Sequence, residues 1–240
     1  MSSGWRTLFN SLPGTCQVCG GWPGEPVCEN CSTRFQGPPH RCHACAAPLS
    51  SDAHHLCGTC LAQPSPAALQ ARTAAVDYAY PWDGLIARFK FRAEPGWAGP
   101  FARLMLRTPR VAELLSQCEL LVPVPLNATR LAERGYNQAW ELTKALRRQG
   151  RPAAAAVPDA LLRLLDRPDQ HSLPREQRLR NLRGVFAVHP LHVPRVQGRQ
   201  VLLVDDVSTT GATLQAAAQA LRQAGAAGVN ALVFAHTPPG

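Results

Sequence analysis

One run of fourteen residues, 201–214, limits what this chain can fold into: Val-Leu-Leu-Val-Asp-Asp-Val-Ser-Thr-Thr-Gly-Ala-Thr-Leu. Val201, Leu202, Leu203 and Val204 are continuously apolar, the pattern of a parallel strand buried on both faces. Asp205 and Asp206 close that strand, at the end where an open α/β sheet presents its ligand crevice. Ser208, Thr209, Thr210, Gly211, Ala212 and Thr213 are small, and residues 214–221 read as a helix. A glycine turn feeding a helix N-terminus offers free backbone amides and the positive end of the helix dipole. With four hydroxyl side chains added, the turn suits a phosphate dianion. The two acids have the wrong sign for phosphate. They suit sugar hydroxyls or a divalent metal. Phosphate at one end and a diol at the other describe a ribose 5-phosphate. Helix-capping acids and turn-forming threonines are the competing structural reading, and they leave more of the nine positions 205–213 unexplained.

This run resembles the signature of the type I phosphoribosyltransferases: an apolar strand, two acids, then Thr-Thr-Gly-x-Thr. The resemblance implies that Asp205 and Asp206 bind the ribose hydroxyls of phosphoribosyl pyrophosphate (PRPP). Val207 then leads into the loop from Ser208 to Thr213, which would hold the 5-phosphate.

The length of 240 residues fits one ordinary domain and a small one, and 45% hydrophobic residues suffice for a core. No window holds some 18 uninterrupted apolar residues, and residues 1–9 lack the apolar core of a secretory signal. The expectation is a cytoplasmic protein without membrane insertion. Residues 1–63 are formally neutral, so the net +9 lies in the remainder. Lys90 and Lys144 are the only lysines. Arginine forks suit phosphates, and the balance is compatible with either an anionic substrate or nucleic acid.

Eight of nine cysteines form four Cys-x-x-Cys pairs: Cys16/Cys19, Cys28/Cys31, Cys42/Cys45 and Cys57/Cys60. Two such knuckles complete one tetrahedral zinc. A disulfide framework would suit an exported chain, and a redox pair would not need four repeats. The expectation is structural zinc in one or two sites, most simply two consecutive ribbons, with an interleaved pairing left open. His40, His43, His54 and His55 read as loop residues beside a full set of thiols. Residues 63–66, Gln-Pro-Ser-Pro, read as a linker, which divides the chain into a zinc-ribbon domain 1–63 and a larger domain 64–240.

In the larger domain, residues 74–80 alternate as a strand, and residues 83–92 and 97–107 read as helices, the basic Arg88, Lys90 and Arg92 of the first being most simply a solvated face. Cys118 reads as a buried apolar residue. Residues 120–125, Leu-Leu-Val-Pro-Val-Pro, form a second apolar strand, followed by Arg130, the run Arg134-Gly135-Tyr136-Asn137-Gln138 and a helix through Arg148. In the phosphoribosyltransferases the loop after the corresponding strand wraps the pyrophosphate. By that resemblance Arg130 and Arg134 are catalytic cations, acting with Mg²⁺ bound alongside PRPP on the departing pyrophosphate. The structural alternative is an Arg-Gly turn with two surface arginines. The Cys-x-x-Cys head, the Val-Pro-Val-Pro strand, the Arg-Gly-Tyr-Asn-Gln run and the Asp-Asp loop together resemble the ComF family, including its GntX-type members. That resemblance spans the chain. It implies a phosphoribosyltransferase-like domain behind an N-terminal double zinc ribbon, a role in natural transformation, and contact with internalised single-stranded DNA and a competence helicase.

Residues 151–158 read as an Ala/Pro linker and residues 160–165 as a strand. Residues 170–186 resemble a mobile flap, with His171 a loop residue and Arg178 or Arg183 either reaching the pyrophosphate or the acceptor or lying solvated. Residues 229–235 give the last strand. The fold class expected is α/β, a type I phosphoribosyltransferase-like parallel sheet flanked by helices. The leading reading is a Mg²⁺-dependent phosphoribosyltransferase whose catalytic residues are Asp205, Asp206, Arg130 and Arg134. No residue names the acceptor or a general base. The alternative is a non-catalytic PRPP-binding or nucleic-acid-binding protein using the zinc ribbon and basic surface. Few aromatics are expected beside the arginines, Trp5, Trp22 and Phe35 being those available for stacking.

Overall fold

A computed structural model describes residues 14–51, 53–62, 68–164 and 184–237. The chain divides into two compact units, Met1–Gln36 and Gly37–Gly240. The boundary expected at residue 63 follows the change in composition, whereas compactness divides the chain after Gln36.

The first unit carries two knuckles. Gly14 and Gly24 pair as an antiparallel bridge, and Gly20 takes φ +73° in the turn behind Cys19. Helix α1 (Glu29–Phe35) follows Cys28 and buries Cys31.

The second unit begins with the other two knuckles and α2 (Gly58–Ala62), then runs β1 (Ala71–Asp77), α3 (Trp82–Phe91), α4 (Ala98–Arg107), α5 (Val111–Gln117), β2 (Leu120–Pro123), α6 (Ala128–Arg134), α7 (Gln138–Gly150), β3 (Ala155–Ala156), β4 (Leu161–Arg163), β5 (Phe186–Val188), α8 (Val193–Val196), β6 (Gln200–Ser208), α9 (Ala212–Gln223) and β7 (Gly228–His236). Five strands form a parallel sheet in the order β1-β7-β6-β2-β3, and β4 and β5 form a separate antiparallel pair. The expected α/β parallel sheet is therefore present.

Val201 to Val204 lie in β6 with β7 on one side and β2 on the other, all buried. Full burial of each such side chain is worth about 1.5–3 kcal/mol. On one face β6 meets α9, whose Leu214, Ala217, Ala218 and Leu221 recur at helical spacing and join Leu203, Val201, Val122 and Val233 in one core. On the other, Phe234 of β7 stacks on Phe101 of α4 at 3.9 Å and meets Trp82 of α3 edge-on at 5.7 Å. Cys118 is buried, as expected, and burial pushes its thiol up to about 11.

Three local expectations changed. The first strand starts at Ala71, earlier than 74, because Arg72 and Thr73 are buried and do not face solvent. The segment after β2 is mostly helix α6, begun by Asn127, whose side chain accepts from the Arg130 amide at 2.8 Å. Within the expected 151–158 linker, Ala155 and Ala156 pair with Leu120 and Leu121 as the outermost strand.

The second knuckle pair is part of this unit's core. Ala46 packs with Leu69 and Ala74, Arg41 bridges to Asp77 at 2.7 Å, and the Arg72 amide donates to the His43 carbonyl at 2.7 Å. These contacts cover the edge strand β1, which otherwise presents unpaired backbone groups.

Candidate PRPP site and metal centres

Strand order places the crevice. After β2 the chain moves outward to β3, and after β6 it moves the opposite way to β7. The connections leaving β2 and β6 therefore diverge, and a crevice opens at the carboxyl ends of these two strands. The Val124 amide donates to the Val204 carbonyl at 2.9 Å, and the Asn137 side-chain amide donates to the Val124 carbonyl at 3.0 Å. The start of α7 is thus tied to the mouth of the crevice.

The strand expected to close at Asp205 and Asp206 runs two residues further, to Ser208, so both acids lie inside β6. Asp205 is half-buried and accepts the Asp206 amide at 2.8 Å. Asp206 is 7% exposed and its Oδ1 lies 3.1 Å from the Lys90 Nζ of α3. Burial, followed by the Asp206 charge, pushes Asp205 up to about 7, against the pull of Lys90 and Arg163. Lys90 escaped notice in the sequence, where it reads as one of three basic residues on a solvated helix face. A charged residue next to last in the helix that follows the first strand was the available signal.

Arg134 stands beside this pair. Asp206 favours its charge, while burial, the larger effect, and neighbouring Arg130 oppose it. Its guanidinium lies over the Phe91 ring at 5.0 Å and donates to Gln138 Oε1 at 3.0 Å. Arg130 is half-buried on α6. The four residues named for catalysis are therefore brought to one end of the sheet.

The loop from Ser208 to Thr213 has the form of an anion cradle. Val207 and Ser208 complete β6, Gly211 caps α9 with φ +77°, and Ala212 and Thr213 open the helix. Among the described residues the amides of Thr209, Thr210 and Gly211 have no protein acceptor. The Ala212 amide reaches Thr210 Oγ1 at 3.4 Å. One cation sits under the loop: Arg72 Nη1 donates to Ser208 Oγ at 3.0 Å, and a Cβ at Gly211 would collide with its guanidinium.

The cysteines form two separate quartets in consecutive order, Cys16/Cys19/Cys28/Cys31 and Cys42/Cys45/Cys57/Cys60, each with all sulfurs within 4.8 Å of one another. The interleaved pairing is thereby excluded. Sulfurs about 2.3 Å from a tetrahedral zinc stand about 3.8 Å apart. Cys19 and Cys28 sulfurs are 3.8 Å apart, and those of Cys45 and Cys57 are 3.7 Å apart. Backbone amides point at sulfur: Cys28 N to Cys16 Sγ at 3.4 Å and Cys57 N to Cys42 Sγ at 3.3 Å. Hydrogen bonding from Cys45 leads the effects that hold Cys42 down at about 4. This donor set and spacing fit a tetrahedral metal in each quartet. His43 and His55 stack on each other at 4.7 Å and belong to neither quartet.

The sequence overlooked an aromatic beside the arginines. Trp140, Lys144, Arg147, Arg148, Arg151 and Pro152 line an open groove along α7. Their spacing of four, seven, eight and eleven from Trp140 is a helix-face pattern that was visible in the sequence. Trp5 and residues 170–183 of the expected flap, with His171, Arg178 and Arg183, lie outside the described residues, while Phe186 at its end begins β5. No helix among the described residues is long and apolar enough to cross a membrane.

Comparison with known proteins agrees with this geometry. Residues 169–239 match the phosphoribosyl transferase domain. The chain is 33% identical over 236 residues to the DNA utilization protein YhgH of Escherichia coli, covering 95% of this chain and 99% of the relative. It is 34% identical over 208 residues to Competence protein F of Haemophilus influenzae, covering 83% and 85%, and 27% identical over 236 residues to Competence protein ComFC of Bacillus subtilis, covering 93% and 85%. Sheet, loop and domain match define a phosphoribosyltransferase-like α/β protein with N-terminal cysteine quartets that could bind zinc. Within that class, the chain belongs to the ComF family.

Proposed function

We propose that the protein binds PRPP with Mg²⁺ in the crevice between β2 and β6, as a phosphoribosyltransferase acting in the use of incoming DNA. The observation that carries this reading is the run of unclaimed amides at Thr209, Thr210 and Gly211, where the central strand that bears the two acids ends. The loop would take the 5-phosphate. Asp205 and Asp206 would accept from the ribose hydroxyls, and their remaining oxygens suit Mg²⁺, which supplies charge neutralisation to the pyrophosphate. Arg134 and Arg130 would stabilise the charge developing on the leaving group. Zinc in the two quartets would be structural, contributing folding energy to segments with little core of their own. Titration of PRPP with and without Mg²⁺ tests the binding. Pyrophosphate release in the presence of candidate acceptors tests the transfer.

A second reading, contact with single-stranded nucleic acid, is favoured by the groove on α7. Lys144, Arg147, Arg148 and Arg151 are exposed there beside half-buried Trp140, which combines phosphate-binding charge with a stacking face. The competence and DNA-utilization names of the relatives agree with a nucleic-acid partner. Both readings can hold for one chain, since the groove and the crevice use different residues.

A further inference from the structure

The second cysteine quartet and the phosphate loop meet at one side chain. Arg72 lies on β1, is 3% exposed, and touches both. Its backbone amide donates to the His43 carbonyl at 2.7 Å, between the ligand positions Cys42 and Cys45. Its Nη1 donates to the Cys45 carbonyl at 3.4 Å and to the Ser208 hydroxyl at 3.0 Å. The rest of the guanidinium fills the space where a side chain at position 211 would be. A second tie runs parallel: Arg41 Nη1 donates to the Ala46 carbonyl at 3.0 Å and to Asp77 Oδ1 at 2.7 Å at the far end of β1.

Ser208 and Gly211 bracket the two amides between them. A loop that must aim several N–H groups at one phosphate gains from fixing both ends beforehand, because ordering then costs less on binding. The buried guanidinium also puts a full positive charge beneath the cradle, where attraction to a dianion is little screened. His236 is in register with Ser208 on the neighbouring strand and is buried beside Arg72. Burial, then the Arg72 and Arg41 charges, hold it down at about 4, so it remains neutral at pH 7 and adds no charge that would displace Arg72.

We infer that Arg72 is a positioning residue of the phosphate loop, suspended from the second cysteine quartet, so that phosphate affinity depends on that quartet and not on the first. This rests on the PRPP reading. It goes further by assigning different roles to the two metal centres and by placing a residue outside the signature run in the binding machinery.

The test titrates three ligands, PRPP, ribose 5-phosphate and pyrophosphate, each with Mg²⁺, into the full chain with its zinc content measured. Arg72→Met retains all eight cysteine ligands. It should keep the wild-type zinc content, weaken ribose 5-phosphate at least tenfold, and leave pyrophosphate within twofold. Arg72→Lys, which keeps the charge but not the fork, should fall between. Cys57→Ser/Cys60→Ser should repeat the Arg72→Met pattern, and Cys16→Ser/Cys19→Ser should lose zinc while binding ribose 5-phosphate within threefold of wild type. Undiminished ribose 5-phosphate binding in Arg72→Met overturns the inference, as does an equal loss of pyrophosphate binding. Should the second-quartet variant fail to fold, the split between phosphate and pyrophosphate in Arg72→Met still decides the positioning role. Failure of wild type to bind any of the three ligands would instead overturn the PRPP reading itself.

Discussion

The guanidinium of Arg72 and the hydroxyl of Ser208 are 3.0 Å apart, though 136 positions separate them in the chain. The same guanidinium closes off the Cβ side of Gly211, whose φ of +77° lies in the left-handed region. Gly211→Ala meets two costs, about 1–2 kcal/mol for the left-handed backbone and displacement of the arginine head group. The substitution should lower the melting temperature and weaken ribose 5-phosphate at least tenfold, measured by thermal denaturation and titration on the same preparation.

The raised Asp205 gives stability a direction with pH. Folding lifts its carboxyl from an ordinary 3.8 to about 7, chiefly by burial. Between about pH 4 and 7 the folded chain holds a proton that the unfolded chain has released, so this group's contribution falls as pH rises through that window and is level above it. Asp205→Asn should flatten that slope in denaturant titrations at pH 5, 6, 7 and 8. PRPP binding requires the carboxylate and should therefore tighten from pH 6 to pH 8 in wild type, by up to about tenfold per unit below 7.

Lys90 and Asp206 form a pair whose side chains are 19% and 10% exposed. Breaking such a pair from one side leaves a buried charge, at a cost of about 3 kcal/mol. Lys90→Met should show that loss, and Lys90→Met/Asp206→Asn should lose less than the two single variants added together. A strictly additive cycle would mean the two groups do not interact in solution.

Two zincs per chain are expected from the consecutive quartets, one removed by Cys16→Ser/Cys19→Ser and a different one by Cys57→Ser/Cys60→Ser. Metal analysis of the purified variants reads this directly. A single zinc in wild type would contradict it.

The α7 groove predicts salt-sensitive binding of single-stranded oligonucleotides. Arg147→Ala/Arg148→Ala/Arg151→Ala should lower the slope of log affinity against log salt by about two. Trp140→Ala should weaken binding by about 1–3 kcal/mol with the slope unchanged. Equal salt slopes for wild type and the triple variant would remove the groove from the interface.

The central strand, its two acids and the glycine turn were legible because each is a local pattern with one physical meaning. Val201 to Val204 must be buried, and the turn must present amides. The four cysteine pairs were equally plain, but their grouping needed three-dimensional proximity, since both consecutive and interleaved arrangements satisfy the same spacing. Arg72 was not legible. An arginine near the start of a strand looks solvent-facing until the knuckle carbonyls of His43 and Cys45 are found covering that edge. Helix α6 was hidden for a smaller reason: the prolines ending β2 suggested irregular chain, and the cap at Asn127 outweighed them. Trp140 could have been read from helical spacing alone, had the basic residues of α7 been placed on one face.

Isothermal titration calorimetry of PRPP with Mg²⁺, on wild type and on Asp205→Asn/Asp206→Asn, bears most directly on the account. One PRPP per chain in wild type, weakened at least a hundredfold in the double variant at unchanged zinc content, is the predicted result. Absence of binding in wild type, or equal affinity in the double variant, would contradict it.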